Sequence, residues 1–243
     1  MRVFRIIGKA AVAFYDELFF FFLVGLIHTA CWLLIIPGPF ALAGVYIVGQ
    51  RAVRGMGVSW GLIWGGVKEF GGRAFLLFLI VLLGYGILAS NLWFYATPEV
   101  SPFPTSVTTW LIPIWIVLGL LWTGVVFYAQ SFLMELEEPR MLLVLRNSLF
   151  LTILHPIQTL ILVIVSILAL VLSIVLPVLL TVYPGFVSVL SLTAVRTLVA
   201  DLAERADALK QSSEEEGDEE APTAAEETQE DDEDESLFVD SDV

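Results

Sequence analysis

The stretch LFFFFLVGLIHTACWLLII, residues 18–36, decides the fold class. It holds no charged residue, and a helix of this length measures about 28 Å, close to the thickness of a bilayer's hydrocarbon core. The chain as a whole is 58% hydrophobic, against about 45–50% in soluble domains. Basic residues precede the stretch as in a signal peptide, but it is longer than a usual signal-peptide core, so we predict a retained membrane span.

Five further apolar segments follow this first one, at residues 39–54, 74–96, 107–133, 159–181 and 186–200. Proline and glycine at 37–39 and 184–185 separate the first two segments and the last two. The pattern predicts an all-α, polytopic membrane protein with about six transmembrane helices. The second segment measures only about 24 Å as a helix, so the count falls to five if that segment is re-entrant.

Lysine and arginine alternate between the predicted loops. The N-terminus, the 51–73 and 134–157 loops and the end of the last segment carry them, whereas residues 37–39, 97–106 and 182–185 carry none. Because positively charged loops stay in the cytoplasm, both termini are predicted to be cytoplasmic.

Charge divides the chain into two parts. Residues 1–210 hold all 12 Lys and Arg with 10 acids, whereas residues 211–243 hold 16 acids and no base. The sequence therefore predicts a transmembrane domain over 1–210 and a disordered acidic tail over 211–243, and this charge balance argues against nucleic-acid binding. Leu237, Phe238 and Val239 are the first large apolar residues of the tail, which makes them a candidate linear motif.

Residues 58–70 have the spacing of an amphipathic helix. One stripe of that helix holds Trp60, Ile63, Trp64, Val67 and Phe70. We expect it to lie on the cytoplasmic leaflet with its tryptophans at headgroup depth. The alternative is a coupling helix that docks a cytoplasmic partner.

An apolar span, Gly38-Pro39, Arg51, Arg54-Gly55 and an aromatic amphipathic helix ending at Phe70 follow one another in this order. The order resembles the YesL-like family of bacterial integral membrane proteins of unknown function, over about residues 15–205. The resemblance implies a multi-pass protein of the bacterial plasma (inner) membrane, often encoded beside carbohydrate-uptake systems, with no established catalytic residues. The amphipathic helix here is poorer in basic residues and phenylalanine than the family pattern, and the acidic tail lies outside it.

Polar residues inside predicted spans are candidates for function because they are costly in lipid. His28 lies in the middle of the first span, where it is a candidate proton relay, ligand or interhelical hydrogen-bonding group. Asn91 lies nearer a span end. Arg196 lies about eleven residues into the last segment, where its side chain snorkels to the surface or binds a substrate.

No zinc-protease helix, nucleotide-binding loop or pair of intramembrane aspartates is present. We therefore predict a non-catalytic accessory or scaffold protein without a cofactor, in contact with the bilayer and with a membrane transport complex, which the resemblance connects with carbohydrate uptake. Gly-x-x-x-small patterns at 86–90 and 119–123 also fit a homo-oligomer. The alternative function is a small-solute transporter or channel with a polar pathway formed by His28, Asn91, Ser166, Ser173, Ser188, Ser191 and Arg196.

Overall fold

The computed structural model describes residues 2–97, 101 and 103–219, and all the regular structure in them is helical. The helices are α1 Arg2–Asp16, α2 Leu18–Trp32, α3 Pro37–Val53, α4 Trp60–Ala96, α5 Thr105–Glu135, α6 Met141–Leu154, α7 Pro156–Val175 and α8 Val178–Glu219. The chain forms two compact units that divide within α8, after Thr197. The polytopic all-α prediction is confirmed.

Four described helices, α4, α5, α7 and α8, are long and apolar enough to cross a membrane, and α1 with α2 makes a fifth if this bent pair is one span. These five correspond to the predicted apolar segments other than the second, residues 39–54. Helix α3, which corresponds to that segment, has 17 residues and is not among them.

Helices α2 and α3 form a hairpin with an apolar turn. Leu33, Leu34, Ile35 and Ile36 are all strongly exposed, yet the backbone N–H of each donates a hydrogen bond to a carbonyl within the hairpin. Exposed apolar side chains are unfavourable in water, and a backbone without unsatisfied N–H groups is what lipid tolerates. The turn therefore suits contact with lipid.

The interfacial helix predicted at 58–70 is not separate, because α4 runs without a break from Trp60 to Ala96. Its glycines do not end the helix, since two of them face α3 closely. A Cβ on Gly66 would overlap Ile47, and one on Gly71 would lie 2.8 Å from the Phe40 ring. Packing against α3 thus stabilises a helix that glycine weakens intrinsically.

Helix α1 has the amphipathic character expected of 58–70. Its buried face carries Val3, Ile6 and Ala10, while Arg5 and Lys9 are exposed. The helix is bent by 83° from α2. If α2 enters the bilayer along its normal, a helix at this angle lies close to the membrane plane.

Two predicted loops differ from the structure. Residues 134–157, expected to be a loop, contain α6, which forms because its apolar residues Val144 and Leu151 are buried. The break expected at Tyr183-Pro184-Gly185 lies instead at Leu176-Pro177, and Pro184 is inside α8. Gly185 contacts the Phe21 ring so closely that a Cβ there would overlap it, and this packing keeps the segment helical.

The second unit begins at Leu198 and is described as helix to Glu219. An ion pair of 3.0 Å joins the Arg205 guanidinium to the Asp201 carboxylate one turn earlier. Such a pair, with the acid one turn before the base, stabilises the helix beyond Arg196. The rest of the acidic tail, with its candidate motif Leu237, Phe238 and Val239, lies outside the described residues.

Close approach of α2 to α8 at Gly25 yields a stability prediction. A Cβ there would overlap the Thr181 carbonyl oxygen, whereas one on Gly86 in α4 would meet nothing within 4 Å. We expect Gly25→Ala to lower the free energy of unfolding by about 1–3 kcal/mol through overpacking. Gly86→Ala should raise it by up to about 1 kcal/mol because alanine favours helix.

Thermal unfolding of the purified chain in detergent measures both variants. Equal effects of the two substitutions would contradict the close packing of α2 on α8.

Candidate functional site

A cavity of about 520 Å³ lies within the helical bundle. We call it the central cavity. Seventeen residues line it, contributed by α2, α3, α5, α7 and α8: His28, Thr29, Trp32, Leu42, Tyr46, Thr123, Val126, Phe127, Gln130, Val163, Ser166, Ile167, Leu170, Leu180, Tyr183, Pro184 and Val187. A mainly apolar cavity with a few convergent polar groups is the usual form of a small-molecule site.

Most hydroxyl groups around the central cavity are already paired within their own helices. Thr29 donates to the Gly25 carbonyl at 2.9 Å, Thr123 to the Gly119 carbonyl at 2.8 Å, and Ser166 to the Leu162 carbonyl at 3.0 Å. These hydroxyls are therefore satisfied without a ligand.

His28 is the sequence-predicted residue that the fold places at the central cavity. The indole N–H of Trp32 donates to its Nε2 at 2.9 Å. Nε2 is then an acceptor, which assigns the neutral imidazole with its proton on Nδ1. Nδ1 is buried beside the Gly38 backbone and makes no hydrogen bond of good geometry, so the ring retains a donor without a well-placed acceptor.

Gln130 supplies the complementary group from α5. The side chain is buried, and its Oε1 makes no hydrogen bond within the described residues. Oε1 is an acceptor and His28 Nδ1–H is a donor, so a hydroxyl group offers the complementary atom to each of them. Neither atom is open to water, but the terminal torsions of both side chains are soft. A solute would reach either atom only after rotation about these torsions.

A second polar cluster lies where α3, α5 and α8 meet, around Glu135. Its Oε2 accepts from Arg196 Nη2 at 3.0 Å and from Arg54 Nη2 at 3.2 Å. Gln50 Nε2 donates to the Met134 carbonyl at 2.7 Å beside it. We call these side chains the Glu135 cluster. Arg196 is therefore paired with a carboxylate from another helix, as well as close enough to the surface to be partly exposed.

Sequence reasoning missed Gln130 as a ligand group and Glu135 altogether. Glu135 comes two residues after the predicted end of the fourth segment, so it was assigned to a loop. Its partners Arg54 and Arg196 lie 81 and 61 positions away along the chain. The available signal was the helical spacing of Gln130, Ser131 and Glu135, which form a polar stripe at the end of the span.

The other candidates lie away from the central cavity. The Asn91 amide donates to the Ile87 carbonyl of its own helix at 2.8 Å. On the α4 stripe, Ile63 is buried, Val67 and Phe70 are half-buried, and Trp60 and Trp64 are exposed. Thus the fold does not bring Asn91 or this stripe to His28, and the stripe itself divides between packing and exposure.

Metal binding has no support in the described residues, which contain no group of three His, Cys, Asp or Glu side chains placed to hold an ion. Comparisons identify no relative: no protein-family model, curated protein or solved structure matches the chain.

The Glu135 cluster yields a prediction for stability. Glu135→Gln removes the charge that pairs with both arginines, and hydrogen bonds to charged groups contribute about 1.5–3 kcal/mol when little exposed. Since the Glu135 side chain is 17% exposed, we expect a loss of about 1–2 kcal/mol, read as a lower unfolding temperature.

Glu138→Gln is the matched control. Glu138 pairs with Arg140 at 3.3 Å, but both side chains are about 80% exposed, so the change should be nearly neutral. Similar losses for the two variants would show that Glu135 does not hold the three helices together.

Proposed function

We propose that this polytopic membrane protein is a non-catalytic accessory protein of the bacterial plasma membrane, which binds a small, mainly apolar solute in its central cavity. The observation that carries the proposal is that two lining side chains, His28 at Nδ1 and Gln130 at Oε1, make no hydrogen bond of good geometry within the described residues. Buried polar groups without partners are costly. A solute with a hydroxyl, or with a carbonyl beside an N–H, relieves that cost.

Solute binding is favoured over solute conduction because most side chains of the predicted polar pathway already make hydrogen bonds within the protein. Of its seven predicted residues, His28 and Ser166 line the central cavity. Asn91, Ser173 and Ser188 donate to carbonyls of their own helices, Ser191 bonds to Ser131 and Arg196 to Glu135. A continuous hydrophilic path needs polar groups that are free to contact a solute, and these are occupied.

The lining also bears on the chemical class of the solute. Ten of the seventeen lining residues are apolar, and a sugar carries hydroxyls on nearly every carbon. Burying so many hydroxyls without partners is unfavourable. An association with carbohydrate uptake, which the YesL-like resemblance implies, would therefore act through a partner complex and not through sugar in the central cavity.

A photoreactive alcohol tests solute binding. A diazirine-bearing octanol, irradiated with the full-length chain in detergent, should label peptides of α2, α5 and α7 that line the central cavity. Replacing the acceptor, Gln130→Leu, should reduce that labelling several-fold because the alcohol loses one hydrogen bond of about 1 kcal/mol.

Two controls make the photolabelling decisive. The diazirine-bearing octane without the hydroxyl should label wild type and Gln130→Leu alike, and Ser173→Ala should change neither probe. Alcohol labelling that is insensitive to Gln130→Leu would overturn the proposed site. Solute flux through reconstituted liposomes that is lost in the same variant would favour the transporter alternative over the accessory role.

One cavity of the structure bears on which side of the membrane the termini occupy. Arg5, Lys9, Gly55 and Arg196 line one cavity, so the N-terminal helix and the end of α3 lie on the same side of the bundle. The α2–α3 hairpin thus returns to the side on which it began, whether or not its tip crosses. Together with the positive-inside bias, this supports cytoplasmic termini.

Single cysteines test that orientation. In a Cys31→Ser background, cysteines at Gly8 and Gly57 should be protected from an impermeant maleimide in intact cells. A cysteine at Phe103, in the connection between α4 and α5, should react. Labelling of Gly8 or Gly57 in intact cells would contradict cytoplasmic termini.

The exposed tryptophans at the start of α4 form a candidate surface for a partner protein. Trp60 and Trp64 are 49% and 63% exposed, and the Lys68 ammonium lies 5.9 Å from the Trp64 ring centre. Exposed aromatic side chains with a neighbouring cation fit either headgroups or a partner protein. Loss of a transport permease from crosslinked complexes in Trp60→Ala/Trp64→Ala, with retention in wild type, supports the accessory role.

A further inference from the structure

A second cavity, of about 770 Å³, lies among α1, the end of α3 and α8. We call it the basic cavity because three of its four charged lining side chains are cations, Arg5, Lys9 and Arg196, against one anion, Asp16. It shares no lining residue with the central cavity. Its charge is therefore a separate feature of the fold.

Arg5 and Lys9 of α1 have no carboxylate partner in the part of the chain that the structure describes. Arg5 and Lys9 are four residues apart, so they project from one face of the helix, where like charges repel. A bound anion would relieve this repulsion.

Two buried groups at the basic cavity lack partners as well. Thr193 is 4% exposed, and its Oγ1 makes no hydrogen bond within the described residues. Arg196 uses Nη2 for Glu135, but its buried Nε has no hydrogen-bond partner among the residues that the structure describes. A hydroxyl and a guanidinium N–H beside two free cations are donors of the kind that phosphate oxygens accept.

We propose that the basic cavity binds a phosphate group, and the setting points to the headgroup of an anionic phospholipid. The 83° bend sets α1 along the membrane surface when α2 runs along the bilayer normal. Phe4 and Val12 on the same helix are exposed, which places apolar side chains beside the cations as the interface between headgroups and acyl chains requires. Basic pockets at that depth recognise lipid phosphates.

Native mass spectrometry of the full-length chain in detergent tests the proposal with dioleoyl phosphatidylglycerol and, for comparison, zwitterionic dioleoyl phosphatidylcholine. Wild type should bind phosphatidylglycerol more tightly. Arg5→Gln/Lys9→Gln should weaken that binding about tenfold, since each cation near the surface contributes measurably to anionic-lipid affinity. Phosphatidylcholine binding should not change.

Lys68→Gln/Arg73→Gln is the matched control, because it removes the same charge from α4, outside the basic cavity. It should alter phosphatidylglycerol affinity less than twofold. An equal loss in the control would overturn the proposal, since attraction would then depend on net charge alone.

Thr193→Val separates binding from stability. The substitution keeps the shape but removes an unpaired buried hydroxyl, so the unfolding temperature should hold or rise, while phosphatidylglycerol affinity should fall a few-fold. Unchanged affinity would remove Thr193 from the site and with it the evidence for a built cavity.

Inorganic phosphate distinguishes the source of the group. If phosphate raises the unfolding temperature of wild type but not of Arg5→Gln/Lys9→Gln, and the two lipids bind alike, the basic cavity takes a soluble phosphate and the phosphate site stands. If neither lipid preference nor phosphate stabilisation is seen, the proposal fails. Neither outcome bears on photolabelling of the central cavity.

Discussion

One carboxylate holds three helices in register. Glu135 of α5 accepts from Arg54, just after α3, and from Arg196 of α8. Two arginines facing each other in a partly buried place would repel strongly without it, because charges interact more strongly away from water. Both cavities lie close to this cluster along the helices. Gln130, about one turn before Glu135 on α5, lines the central cavity, and Thr193, about one turn before Arg196 on α8, lines the basic cavity.

The sequence predicts the membrane class and most of the spans because hydropathy is a local property. It also identifies the break at Pro37, since proline after an apolar run cannot continue the same helix. It fails where packing overrides local preference. Pro184 reads as a break and lies inside α8, whereas α4 continues through glycines that face α3, and α6 forms in a segment interpreted as a loop.

The sites differ in how much of them a sequence shows. His28 is recognisable in the sequence as a polar residue in an apolar run, and its hydrogen-bond donor, Trp32, is only four residues away. The roles of Gln130 and Glu135 depend on residues of other helices that are distant in the sequence. No signal in a single sequence pairs Glu135 with Arg54 and Arg196. Arg5 and Lys9 were interpreted as orientation signals or as the basic region of a signal peptide, because the bend that brings them to one cavity with Arg196 is not a periodic pattern.

Helix α3 explains why a short segment can occupy the middle of a membrane protein. A helix that contacts lipid must match the bilayer's thickness, but one surrounded by protein need not. Tyr46 reaches Ser191 at 3.4 Å, and a Cβ on Gly49 would lie 2.5 Å from the Ser188 hydroxyl, so α3 touches α8 on one side. On another side Gly44 faces Val67 of α4. Because α3 packs against protein on these sides, it does not need the length of a lipid-exposed span. The apolar turn at Leu33–Ile36 is compatible with a hairpin tip that lies within the lipid.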